Sequence, residues 1–90
     1  MPIHHQLEIE LLERINEGED CATLAVTAAK GDRFGVLVHH HGRPVGMWSY
    51  LRGAFRYRGL ASWDFIHAAN EVEHAIAMTL SMAKSNKWQT

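Results

Sequence analysis

Residues 45–58, VGMWSYLRGAFRYR, decide the fold. Gly53 supplies the left-handed backbone that a two-residue hairpin turn needs, so the chain reverses at Arg52-Gly53 and pairs Leu51 with Ala54. Tyr50 then falls opposite Phe55 and Trp48 opposite Tyr57. Side chains alternate sides along a strand, so these four aromatics crowd one face. Met47, Ser49, Leu51, Arg56 and Arg58 fall on the other. The aromatic face is suited to burial, and the mixed apolar and guanidinium face is suited to contact.

Outward from this hairpin the period and punctuation continue the pattern. Cys21–Ala29 and Arg33–His41 are rich in Thr, Val, Leu and Phe and flank Lys30-Gly31-Asp32, which reads as a second hairpin. Gly42-Arg43-Pro44 turns the chain into Val45–Arg52, and Trp63–His67 offers a short fifth strand. Ile3, Leu7, Leu11 and Ile15 recur every four residues among acids, predicting an amphipathic helix over 3–17 that Gly18 ends. Asn70 and Glu73 have capping-box spacing. After them Val72, Ala75, Ile76, Thr79, Leu80 and Ala83 keep helical period to about Ser85. The expected architecture is one α+β domain over residues 1–90. Its antiparallel four- or five-stranded β-meander is flanked by an N-terminal and a C-terminal helix.

Following face parity through two-residue turns gives each side of the sheet a character. One face collects Leu24, Val26, Leu37, Trp48, Tyr50, Phe55 and Tyr57. Two amphipathic helices cover about one face of a four-strand sheet, and the aromatic face has most to gain from them. Phe34, Val36, Val38, Met47 and Leu51, with Arg56 and Arg58 at the edge, then form an apolar face left open, which is the expected partner interface. A second copy of the chain in a twofold dimer, or another protein, would cover it. A one-residue slip at Gly42-Arg43-Pro44 exchanges the faces.

Composition limits the function classes. Ninety residues make one domain with a thin core, and 47% hydrophobic residues are too many for a disordered chain. No apolar run approaches the ~20 residues of a membrane helix, and MPIHHQLEIE lacks the basic start and apolar stretch of a signal peptide. Cys21 is the single cysteine, so no internal disulfide can form, and a cytoplasmic location is expected. The net charge of −1 conceals a balance of −5 over residues 1–20 and +5 over residues 21–58. Such asymmetry means either internal complementarity or two distinct surfaces.

Chemical motifs are sparse. In an extended strand His39 and His41 share a face and could hold a metal with His4, His5 or His67, but no spacing fixes a third ligand, so no metal or other cofactor is expected. Glu71 and His74 form half of a di-iron helix pattern whose other half is missing. Cys21 has no base assigned by the order of residues, and Ser49 and Ser62 lack a nucleophile-elbow sequence. The glycines scatter through turns and strands rather than forming a phosphate loop. A non-enzymatic protein is therefore expected.

Nucleic acid is the rival partner, through Arg52, Arg56, Arg58 and Tyr57, a basic-aromatic strand pair that could hold phosphate and stack bases. The helix–strands–helix order is similar to that of the double-stranded RNA-binding domain. That family starts its last helix with lysines that grip phosphate, whereas Asn70-Glu71-Val72-Glu73 is acidic here, so membership is not supported. The expected function is a small protein-interaction module that regulates or inhibits a larger assembly through the apolar sheet face. One such class is the phage-type inhibitor of a host nucleic-acid machine, anti-CRISPR-like, in which an acidic helix occupies a groove meant for phosphate.

Overall fold

The structure is a computed structural model that describes residues 3–31, 34–61 and 63–88, with the side chains of residues 3–5 outside the description. The chain runs α1 (Ile3–Glu17), α2 (Glu19–Thr23), β1 (Val26–Lys30), β2 (Val36–His40), β3 (Arg43–Leu51), β4 (Ala54–Gly59), β5 (His67–Ala69) and α3 (Val72–Ser85). The strands make one antiparallel sheet in sequence order. This is the expected α+β meander, but its fifth strand runs over His67–Ala69 and shares only His67 with the expected Trp63–His67, residues 63–66 being loop.

The β3–β4 hairpin closes on Arg52-Gly53, both left-handed at φ 54° and 81°. A primed turn of this kind matches the twist of the strands it joins. Leu51 therefore faces Ala54, Tyr50 faces Phe55 and Trp48 faces Tyr57.

The preceding reversal departs from expectation. It closes on His41-Gly42, at φ 53° and 78°, rather than within Gly42-Arg43-Pro44. Val38 pairs with Gly46 but His39 with Pro44, so Val45 is an extra residue and β3 bulges there. Beyond the bulge Val36 pairs with Trp48 and Leu37 with Met47. Paired residues share a face, so Val36 and Val38 move to the aromatic side and Leu37 to the opposite one. The predicted interface is corrected accordingly. Val36 and Val38 are buried at 1% and 0% exposure. Phe34 lines a cleft with Ile9 and Leu12 of α1, on the helix side.

Two further boundaries shift. The start of the predicted strand Cys21–Ala29 is instead the short α2, whose first turn carries Glu19 and Asp20. Acids there favour a helix start. At the other end α3 begins at Val72, its N-cap is Glu71, and no side-chain cap bond forms. That places Glu73 one position too early for the Asn70–Glu73 capping box. Asp32 of the predicted Lys30-Gly31-Asp32 turn lies outside the described residues.

Both long helices cover the aromatic face. Leu11 and Ile15 from α1 and Val72, Ala75, Met82 and Ala83 from α3 join Val26, Val36, Val38, Trp48, Phe55 and Tyr57 in one core. Trp48 Nε1 donates to Thr79 Oγ1 of α3 at 2.9 Å, which satisfies the indole at the centre of the core. Tyr57 lies across Gly46, where any Cβ would overlap the phenol oxygen. This close approach requires glycine in the middle of β3.

Polar side chains from α1 finish the sheet. Glu8 is buried, and its Oε1 and Oε2 accept from the backbone N–H of Gly35 (3.0 Å) and Tyr50 (2.9 Å). Tyr50 extends past the last β2 residue paired with β3, so the carboxylate stands in for a missing strand residue. Asn16 treats the outer edge of β1 similarly. Its Oδ1 accepts from Ala28 N–H at 2.8 Å and its Nδ2 donates to Ala28 C=O at 2.9 Å.

Candidate interaction surface

Alternation along the strands sends Leu37, Met47, Ser49, Leu51, Arg56 and Arg58 to the face opposite the helices. Four residues of the predicted interface, Met47, Leu51, Arg56 and Arg58, thus remain together on this open face. The sequence reading missed what else is there. The β4–β5 loop brings Trp63 back onto Arg58, whose guanidinium carbon lies 4.8 Å from the ring centroid. On its other flank Arg58 Nη2 approaches Met47 Sδ at 3.9 Å. The same loop places Phe65 beside Leu51, Arg52 and Arg56, and these four residues line an open groove of about 440 Å³.

The surface is apolar at its centre and cationic at its rim. Trp63 is 86% exposed, Phe65 44% and Leu51 40%. Arg56 Nε donates to Leu51 C=O at 3.2 Å, which bends its stem back along the strand. Ser49, paired with Arg56, is the one buried polar side chain with no hydrogen-bond partner among the described residues. Most exposed acids are elsewhere: Glu10, Glu13, Glu17, Glu19 and Asp20 are exposed on α1 and α2, while Asp64 lies between Trp63 and Phe65 in the β4–β5 loop. The charge asymmetry of the sequence is therefore largely one of layers, with Arg56 and Arg58 on the open face and five exposed carboxylates on α1 and α2.

The rival nucleic-acid contact loses one of its four residues. Tyr57 is fully buried, with Oη donating to Trp88 C=O at 2.9 Å. The alternation that brings Arg56 and Arg58 outward sends Tyr57 and Phe55 inward. Arg52, Arg56 and Arg58 keep the open side.

Other chemistry suggested by residue type is dispersed. His39 pairs with Thr27 in the sheet, whereas His41 lies in the turn, so the two do not form the shared strand face needed to ligate together. His40 accepts at Nδ1 from Trp88 Nε1 at 3.2 Å. Among the described residues no three His, Cys, Asp or Glu side chains gather in a way that could hold a metal ion. The side chains of His4 and His5, and Ser62, lie outside those residues. Cys21 is buried. Burial and then the charge of Asp20 push its thiol up, opposite to the shift that activates a nucleophile. No described helix is long and apolar enough to cross a membrane.

Comparison with known protein families, curated proteins and solved structures gives no match.

Proposed function

We propose that this chain is a small non-enzymatic interaction module that regulates or inhibits a larger assembly, seating its open sheet face on a partner protein in the cytoplasm. The observation that carries the reading is the exposure of Trp63, Phe65 and Leu51 beside Arg52, Arg56 and Arg58, on the side of the sheet opposite both long helices. Large apolar groups rimmed by arginines have the composition of interface centres. A twofold dimer through this face would bring the arginines of two copies toward one another. A partner with an apolar knob and an acidic rim fits better than a second copy. In the narrower inhibitor version, the exposed Glu10, Glu13 and Glu17 would also oppose a basic groove.

The test is affinity capture from the native host with and without nuclease, using wild type, Leu51→Glu, Phe65→Glu and a Glu10/Glu13→Gln control. The expected result is a protein prey lost with either face variant and kept with the control. Loss only with the control would move the contact to α1. Recovery of nucleic acid alone, abolished by nuclease and by Arg56→Ala, would install the rival reading.

A further inference from the structure

The C-terminal residues carry an arrangement that the interaction face does not use. α3 ends in a left-handed cap at Asn86, with Asn86 N–H donating to Ala83 C=O and Lys87 N–H to Met82 C=O. This Schellman pattern turns the chain back over the sheet. Trp88 lands there, 5% exposed, with its carbonyl taking Tyr57 Oη–H and its indole N–H donating to His40 Nδ1. The His40 ring also faces the Trp88 ring at 5.2 Å and the His41 ring at 4.3 Å.

The geometry points to a pH-sensitive latch: neutral His40 holds the Lys87–Trp88 segment against the sheet, and acidification releases it. An indole N–H is a donor only, so His40 Nδ1 must carry its lone pair toward Trp88 and its proton must reside on Nε2. A second proton would occupy Nδ1 and set two donors against each other at 3.2 Å. Rotating the ring offers the indole a carbon instead. Around His40, β1 contributes Val26 as its pair and β3 contributes Arg43. The adjoining cavity is lined by Thr23 and Leu24 after α2, His41 in the turn, Ala83 and Lys84 of α3, and Asn86. The charged or titratable groups in that set are Arg43, His41 and Lys84. No carboxylate among them could offer a charged imidazole a new partner in place of the indole.

The three indole N–H signals in an amide–indole NMR spectrum provide the readout. From about pH 7.5 to about pH 5.5, where imidazoles acquire charge, the Trp88 signal should shift and its protection from exchange, corrected for the slower base-catalysed exchange at low pH, should fall roughly tenfold relative to Trp48, one hydrogen bond's worth. The Trp48 signal, held by Thr79, is the internal control and should stay protected. His40→Asn keeps an acceptor near the Nδ1 position and cannot titrate, so its Trp88 signal should be docked and flat across the range. His40→Phe should be released at both ends. A wild-type Trp88 signal indifferent to pH overturns the latch. So does an unchanged response in His40→Asn, because the titrating group would then be elsewhere.

Discussion

Glu8→Ala should be the most destabilising single acid-to-alanine change in α1, although Glu8 reads in sequence as one more carboxylate on an acidic helix. The reason is the pair of backbone donors it serves, Gly35 N–H at 3.0 Å and Tyr50 N–H at 2.9 Å. Alanine removes both acceptors, leaving a buried N–H at Gly35 and a part-buried one at Tyr50. A buried donor left without a partner costs about 1–3 kcal/mol and a part-buried one somewhat less, so the two together predict about 2–5 kcal/mol. The better helix propensity of alanine returns only a few tenths of a kcal/mol. Glu8→Gln keeps one oxygen and presents an amide to the other N–H, so about half the loss is expected. Glu13→Ala, exposed on the same helix, should fall within about 0.5 kcal/mol of wild type. Urea unfolding monitored by circular dichroism measures all three, with an unchanged m-value as the condition for comparison. For a domain of this length the alanine variant should melt at least ~10 °C lower. Equal stabilities for Glu8→Ala and Glu13→Ala would refute the clamp.

Trp48→Ala should cost about 3–5 kcal/mol by opening a cavity beneath α3, and a Trp48 indole that exchanges freely with solvent would contradict its place in the core. The parity set by the bulge is tested by a pair of substitutions: Val36→Glu should prevent folding, whereas Met47→Glu, one face over, should leave a cooperative thermal transition. Folding kept by both variants would restore the unslipped register, which puts the two residues on one open face. Burial raises the Tyr57 phenol above its ordinary range. A folded-state pKa above the unfolded value of about 10 gives stability that is complete below pH 10 and lost as pH rises beyond it, by at most about 1.4 kcal/mol per unit. Chemical denaturation at pH 9, 10 and 11 should show this slope in wild type and a flatter one in Tyr57→Phe, and identical slopes would sink the assignment. Binding to single-stranded DNA should be weak at physiological salt, and sub-micromolar affinity there by fluorescence anisotropy would displace the protein-partner reading.

The parts of the fold legible in sequence are those governed by local period. Ile3, Leu7, Leu11 and Ile15 gave the first helix because their spacing admits one apolar stripe, and Arg52-Gly53 fixed its hairpin because the turn determines the register. The bulge at Val45 was not legible in the same way. HHHGRPVG contains several reversals of similar local cost, and the choice among them is made by packing Val36 and Val38 beneath the helices. That single choice moved Phe34, Val36 and Val38 out of the expected interface while Met47, Leu51, Arg56 and Arg58 stayed. Glu8 was misread because helical periodicity reports which face a residue lies on, not that a strand ends within its reach. Trp63 and Phe65 were missed as surface groups because their β-prone side chains read as strand over Trp63–His67, whereas residues 63–66 form a loop in which no period indicates which way the chain folds back. A signal for Trp88 was present in its position just after a helix-ending Ser-Asn-Lys, since a large indole calls for a place to be buried.

The double hydrogen bond between Asn16 and Ala28 has a consequence for how copies of this protein can meet. A primary amide with one donor and one acceptor aimed at a single residue imitates the peptide group of a neighbouring strand. Outermost strands with free peptide groups act as templates on which further chains add, and proteins commonly block them. Here one side chain from α1 acts as a stopper at the β1 margin, and the opposite margin ends in a strand of only three residues. Strand addition is thereby discouraged at both ends of the sheet. This tends to keep the molecule from growing into fibres, and it leaves sideways docking on the flat of the sheet as the cheaper route of association.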